Sequence, residues 1–154
     1  MGSMRAKWSA VAVACVSAFA IGCRSGGGGA CCPTAAIPPS SGPVGDQVAR
    51  GEAIFQSSCA KCHGTSGGGK ALGGPMLIGP GGLPLDPPAG RIHRDRPFRT
   101  AGNVAGFIHA RMPPGGARLP EDQAYDVAAW LVTSNGVRLS QPLTAQNADT
   151  VAIH

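Results

Sequence analysis

Apolar positions recur with helical period in three stretches of the chain, and glycine- and proline-broken segments separate them. The first is "GDQVARGEAIFQSSC", where Val48, Ala49, Ile54 and Phe55 lie at near-helical spacing behind Asp46, a candidate N-cap. That helix should end just before or within the cysteine pair that follows. A second, shorter helix is predicted over Val104 to Arg111, with Val104, Phe107, Ile108 and Met112 on one side and Pro113–Pro114 as its stop. The third has the fullest set of signals. "LPEDQAYDVAAWLVTSNG" begins after Pro120, carries Glu121 and Asp122 in its first turn and closes at Asn135–Gly136. Its apolar face holds Ala124, Val127, Ala128 and Leu131, with Trp130 beside it. Gly64 to Pro88 has too little periodicity for a regular element. No strand or internal repeat is predicted. The residues after Leu139 are polar and are expected to fray. The pattern is all-α, with a folded domain over 46–139 and a polar tail over 140–154.

A fourth apolar run has a different meaning. Arg5 and Lys7 precede an uncharged, mostly apolar stretch from Ser9 to Ile21. A spanning helix needs about 20 apolar residues; a shorter run behind a positive start has the shape of a signal peptide, here 1–22. "AIGC" (Ala20 to Cys23) resembles the lipobox of bacterial lipoproteins, which implies a lipid anchor at Cys23, although Ala20 stands where leucine is usual. Cleavage after Ala20 is the competing outcome. Residues 23–45 are rich in glycine, then proline, and read as a tether. The expectation is an exported, periplasmic protein held at a membrane.

Composition adds two constraints. The chain has 154 residues, 24 of them glycine and 14 proline, with only 5% aromatics. An ordinary apolar core would be thin, and a large bound cofactor would fill the deficit. Removing Arg5 and Lys7 from the 13 basic residues leaves 11 against 8 acidic ones, a net charge of +3. That charge, with no basic helix interleaved with aromatics, argues against nucleic acid as a partner.

The chemistry concentrates in "SSCAKCHGTSGGGK", Ser57 to Lys70. Cys59, Cys62 and His63 admit three readings. A redox dithiol needs the pair at a helix start after a strand, and no strand lies upstream. A zinc site needs a second ligand pair, and Cys31, Cys32, His93, His109 and His154 match no familiar zinc spacing. Haem attachment needs two thiols spaced to add across the two vinyl groups, and a histidine beside them to ligate the iron. C-x-x-C-H meets that need, and export suits a covalently retained cofactor. Of the other cysteines, Cys15 lies in the signal, and Cys31 and Cys32 receive no role.

From Asp46 to Leu139 the chain resembles class I c-type cytochromes. Gly51 and Phe55 match that family's N-terminal helix, and Val127 and Trp130 stand where its C-terminal helix crosses it. "GGPML" (Gly73 to Leu77) resembles the family's G-P-x-L segment. The resemblance implies a small fold of three to four helices around one covalently attached haem c. It also implies that the Pro75 carbonyl accepts the Nδ1 proton of His63, a bond that fixes the ligand ring. The sixth iron ligand is sought among Met76, Met112, His93 and His109. Met112 in "ARMPPGG" occupies the M-P context in which the family's distal methionine commonly occurs, and His109 is the runner-up.

Two axial ligands from the protein leave no open position for substrate, which points to electron transfer rather than catalysis. The partners implied are redox proteins. Arg91, Arg94, Arg96 and Arg99 are candidates to meet a haem propionate or an acidic partner. The alternative function is a cytochrome subunit of a periplasmic dehydrogenase complex. "AGFIHARMPPGGARLPEDQAYDVAAWL" resembles the haem domains of thiosulfate- and sulfite-oxidising systems. A haem sensor with a displaceable Met112 is a third reading.

Overall fold

Helix α1 (Val44–Ser58) buries Gln47, Gly51, Ile54 and Phe55, a stripe spaced by four, three and one residues along one face. It belongs to a computed structural model that describes residues 43–69, 72–90 and 93–154. The predicted signal segment, Cys15, Cys23, Cys31, Cys32, most of the tether and Arg91 lie outside the described residues. The helix starts two residues before Asp46, inside the stretch assigned to the tether. Pro43 takes the N-cap position with φ −52°, and its carbonyl accepts the Gln47 N–H at 3.0 Å. Asp46 therefore sits in the first turn, where its charge still complements the helix dipole, and caps nothing.

After Cys59, α2 (Ala60–His63) is a single turn that ends at Gly64, whose φ of +78° is open to glycine but not to most residues. Among the described residues, no helix lies between His63 and Ala101.

Helix α3 (Ala101–Arg111) starts three residues earlier than its apolar pattern indicates. The reason is a reciprocal cap. Thr100 Oγ1 accepts the Asn103 N–H at 3.2 Å, and Asn103 Oδ1 accepts the Thr100 N–H at 3.2 Å. Its buried residues are Ala101, Val104, Ala105 and Ile108, and it stops at Met112, whose backbone is extended before the two prolines. Helix α4 (Glu121–Ser134) buries Ala124, Asp126, Val127, Ala128, Ala129, Trp130, Leu131 and Val132. So broad a buried surface follows from its position, because it packs against both α1 and α3.

The α1–α4 crossing is close. A Cβ on Gly51 would lie 1.9 Å from the Asp126 carbonyl oxygen, so only glycine lets the two backbones meet there. Four residues on, the Phe55 and Trp130 rings pack tilted at 40° with centroids 4.4 Å apart. Arg50 Nε reaches Asp126 Oδ2 at 3.1 Å beside the crossing. Burial pushes the Asp126 carboxyl above its ordinary value, and the opposing pull of Arg50 offsets this only in part.

The segment after Leu139 does not fray. Leu143 is buried, and both of its backbone polar groups bond to the buried Gln47 side chain, at 2.7 and 2.9 Å. One 3₁₀ turn (Ala148–Thr150) follows, and a β-bridge pairs Ala152 with Thr100. Leu143 and Ala148 are buried and Val151 and Ile153 pack against the core, so apolar contacts and hydrogen bonds to backbone groups together hold the segment.

Candidate functional site

Cys59, Cys62 and His63 come together because Cys59 is at once the C-cap of α1 and the N-cap of the α2 turn. The Cys59 N–H bonds the Phe55 carbonyl at 2.8 Å, and the His63 N–H bonds the Cys59 carbonyl at 3.0 Å. Both thiols are free; Cys62 is exposed and Cys59 half-buried. Burial, reinforced by the neighbouring Cys62, pushes the Cys59 thiol up to about 11. Redox-active dithiols work the other way, with a thiolate stabilised near neutral pH. Among the described residues, no three His, Cys, Asp or Glu side chains converge on a metal position. The zinc reading therefore finds no ligand set there.

Residues 67–69 and 72–79 fold back over the motif. Gly69 N–H bonds the His63 carbonyl at 2.8 Å and Gly74 N–H bonds the Cys62 carbonyl at 3.1 Å. A Cβ on Gly74 would lie 2.4 Å from that same carbonyl, so the approach requires glycine. This places the Pro75 carbonyl 2.9 Å from His63 Nδ1. A carbonyl only accepts, so Nδ1 carries the ring proton and the Nε2 lone pair is left for a metal.

Met112 is half-buried at the end of α3 and packs against the core together with Leu77, Ile78, Phe107 and Cys59. Met76, next to Pro75, is 40% exposed. His109 is exposed, and its Nδ1 donates to the Leu119 carbonyl at 2.9 Å; His93 is exposed as well. The residues present fit a haem: two free thiols, an imidazole with Nε2 available, a thioether, and apolar side chains that the protein leaves half-covered.

The candidate arginines divide. Arg94 is buried, lies 3.7 Å from the centre of the Phe98 ring, and donates to the carbonyls of Arg96 and Leu85. Burial lowers its pKa, with Asp86 acting against that shift. Arg94 is thus a packing residue, while Arg96 and Arg99 are exposed. Sequence reasoning missed Gln47 and Asn135. Asn135 carried only a helix-end signal, yet its side chain bonds to both Leu77 and Gly79 in the folded-back segment.

Residues 46–131 match the protein family described as cytochrome c oxidase, cbb3-type, subunit III. The chain is 33% identical over 90 residues to thiosulfate dehydrogenase of Allochromatium vinosum, covering 54% of this chain and 30% of that protein. The crystal structure of the sulfane dehydrogenase SoxCD from Paracoccus pantotrophus is similar with a TM-score of 0.52 and 32% identity, covering 75% of this chain and 55% of that one. The chain therefore spans under a third of the first relative's length and about half of the second's.

Proposed function

This chain belongs to the c-type cytochrome family described as cytochrome c oxidase, cbb3-type, subunit III, and on that footing we propose that it is a mono-haem electron carrier on the periplasmic side of a bacterial membrane. Its cofactor is covalently bound haem c. In this reading Cys59 and Cys62 would hold the haem through thioether links, and His63 and Met112 would ligate its iron. Haem c supplies a one-electron iron couple. The protein's part is to hold the group, orient its ligands and exclude water from its apolar faces. Pro75 fixes the His63 ring by accepting its Nδ1 proton, which also raises the basicity of the ligand. A methionine ligand alongside histidine would favour the reduced state more than a second nitrogen ligand.

The observation that carries the reading is the His63 ring, with Nδ1 committed to Pro75 and Nε2 available beside two free thiols. The test is a denaturing gel of the mature protein stained for haem peroxidase activity. Stain should persist in the wild type and vanish in the Cys59→Ala/Cys62→Ala double variant. Haem that leaves the wild type in acid–acetone refutes covalent attachment.

Export follows from the signal-like 1–22 segment, and anchoring from Cys23. Detergent partitioning that is lost in Cys23→Ser tests the anchor; an amino terminus at Ile21 would instead establish cleavage after Ala20. Redox proteins are the partners, and Arg96 and Arg99 offer exposed positive charge to an acidic one.

The likeness to thiosulfate and sulfane dehydrogenases supports a second reading, in which the domain passes electrons for a periplasmic dehydrogenase complex. Co-purification with a larger catalytic subunit separates this from a free carrier.

A further inference from the structure

Helix α4 ends at Asn135, and the side chain of that residue does more than close the helix. Its Nδ2 donates to the Leu131 carbonyl at 2.8 Å, inside its own helix, and to the Leu77 carbonyl at 2.9 Å. Its Oδ1 accepts the Gly79 N–H at 3.3 Å. Two carbonyls require the NH₂ end and one N–H requires the oxygen, so a single orientation of the amide satisfies all three. Neither Asp nor Ser can replace it, since an ionised Asp has no donor and Ser has a single O–H.

The groups that Asn135 holds belong to the segment that orients His63. Leu77 is two residues from Pro75, whose carbonyl takes the His63 Nδ1 proton. On the other side, the Gly67 carbonyl accepts the Leu77 and Ile78 N–H groups at 2.8 and 3.1 Å. Leu77 is thus pinned twice, by its N–H to the motif's own loop and by its carbonyl to α4. The first tie travels with the loop. The second refers the loop to the central helix of the domain.

We propose that Asn135 is a positioning residue for the iron-binding imidazole, clamping the Leu77–Gly79 stretch so that the Pro75 carbonyl stays within hydrogen-bond distance of His63 Nδ1. This rests on the reading of His63 as an axial ligand. Releasing the clamp frees a carbonyl and an N–H to seek water, and Pro75 drifts with them. A weaker Nδ1–H bond makes the imidazole a poorer donor, which disfavours the oxidised iron and raises the midpoint potential.

The test uses the haem-loaded protein with Asn135→Asp and Asn135→Ser, and Gln47→Ala as a variant that loosens the Leu143 segment instead. The readouts are the midpoint potential and the proton resonance of His63 Nδ1 in the reduced state. Both Asn135 variants should retain covalent haem, shift the potential upward and move the resonance upfield, while Gln47→Ala leaves both near wild-type values. Wild-type values in the Asn135 variants overturn the proposal, as does an equal shift in Gln47→Ala, which would mark general loosening. If the Asn135 variants do not fold, the wild type decides: its Asn135 side-chain amide protons should exchange slowly with solvent, and fast exchange refutes the clamp. Should His63→Met retain the wild-type spectrum, the axial-ligand reading fails first, and this inference fails with it.

Discussion

Replacing Gly51 by alanine sets two opposing effects against each other at one atom. In α1 alone, Gly→Ala stabilises by about 1 kcal/mol, because glycine surrenders more backbone freedom on folding. At the crossing, however, the new Cβ would lie 1.9 Å from the Asp126 carbonyl oxygen, 2.5 Å from its carbon and 3.0 Å from Trp130 Cβ. A relaxed carbon–oxygen contact is about 3.3 Å, so the helices must part by about 1.4 Å. A gap of about 1 Å already forfeits up to half of a contact's dispersion energy. The tilted Phe55–Trp130 pair, at 4.4 Å between centroids, lies on the same seam and opens with it. Overpacking costs about 1–3 kcal/mol. The upper end applies, since the obstacle is backbone and cannot swing aside. Subtracting the propensity gain leaves about 2 kcal/mol of destabilisation, or on the order of 10 °C in Tm for a domain of this size. Urea unfolding of the haem-loaded protein, followed by far-UV circular dichroism and by haem absorbance, measures it. Gly106→Ala is the matched comparison: it lies inside α3, nothing is within 4 Å of its Cβ position, and it should stabilise by about 0.5–1 kcal/mol. A Gly51→Ala protein as stable as the wild type would refute the close crossing.

Arg50→Met should destabilise by about 3 kcal/mol at neutral pH, since it strands the buried Asp126 carboxylate. Burial already holds Asp126 above its unfolded pKa, so its contribution to wild-type stability is greatest at low pH and is lost as pH rises through the folded value. The Arg50→Met deficit should accordingly shrink on acidification as Asp126 becomes neutral in both proteins, and a deficit that grows would refute the assignment. Thr100→Ala removes one half of the α3 cap and should cost about 1 kcal/mol by urea titration. Met112→Ala should abolish the far-red thioether–iron charge-transfer band, lower the potential and admit carbon monoxide to the reduced iron, whereas Met76→Ala keeps the band. The opposite pairing of results would transfer the distal role to Met76.

What could be read from the sequence was whatever is written as period or spacing. The stripes of α1 and α4 show as apolar repeats, and the C-x-x-C-H spacing carries its own chemistry. Their boundaries were less legible because caps compete with periodicity. Asp46 has the composition of an N-cap, but Pro43 starts the helix earlier; the Thr100–Asn103 pair is polar and precedes any apolar signal of α3. Arg94 shows the limit of reading charge as exposure. Of the three arginines described in this polar loop, Arg94 turns inward, because Phe98 offers a ring face and two backbone carbonyls offer acceptors.

The residues that escaped detection share one property: their partners are backbone groups distant in sequence. Gln47 is 96 residues from Leu143 and Asn135 is 58 from Leu77, and an amide side chain is suited to both tasks because it donates and accepts at once. Such pairings leave no periodic trace, since any stretch of backbone can take the other half. The segment after Leu139 illustrates the consequence. Reading it as a polar tail predicts fraying, yet Leu143 and Ala148 are buried, Gln47 satisfies Leu143, Asn147 bonds both the Thr144 N–H and the Pro142 carbonyl, and the Ala101 N–H reaches the Val151 carbonyl. In a chain with few aromatics, where part of the apolar surface is left for a cofactor to cover, fixing loops through amides as well requires only a little additional core, here Leu143, Ala148, Val151 and Ile153. The same economy operates at the site, where Gly69, Gly74 and Pro75 position His63 almost wholly through main-chain atoms.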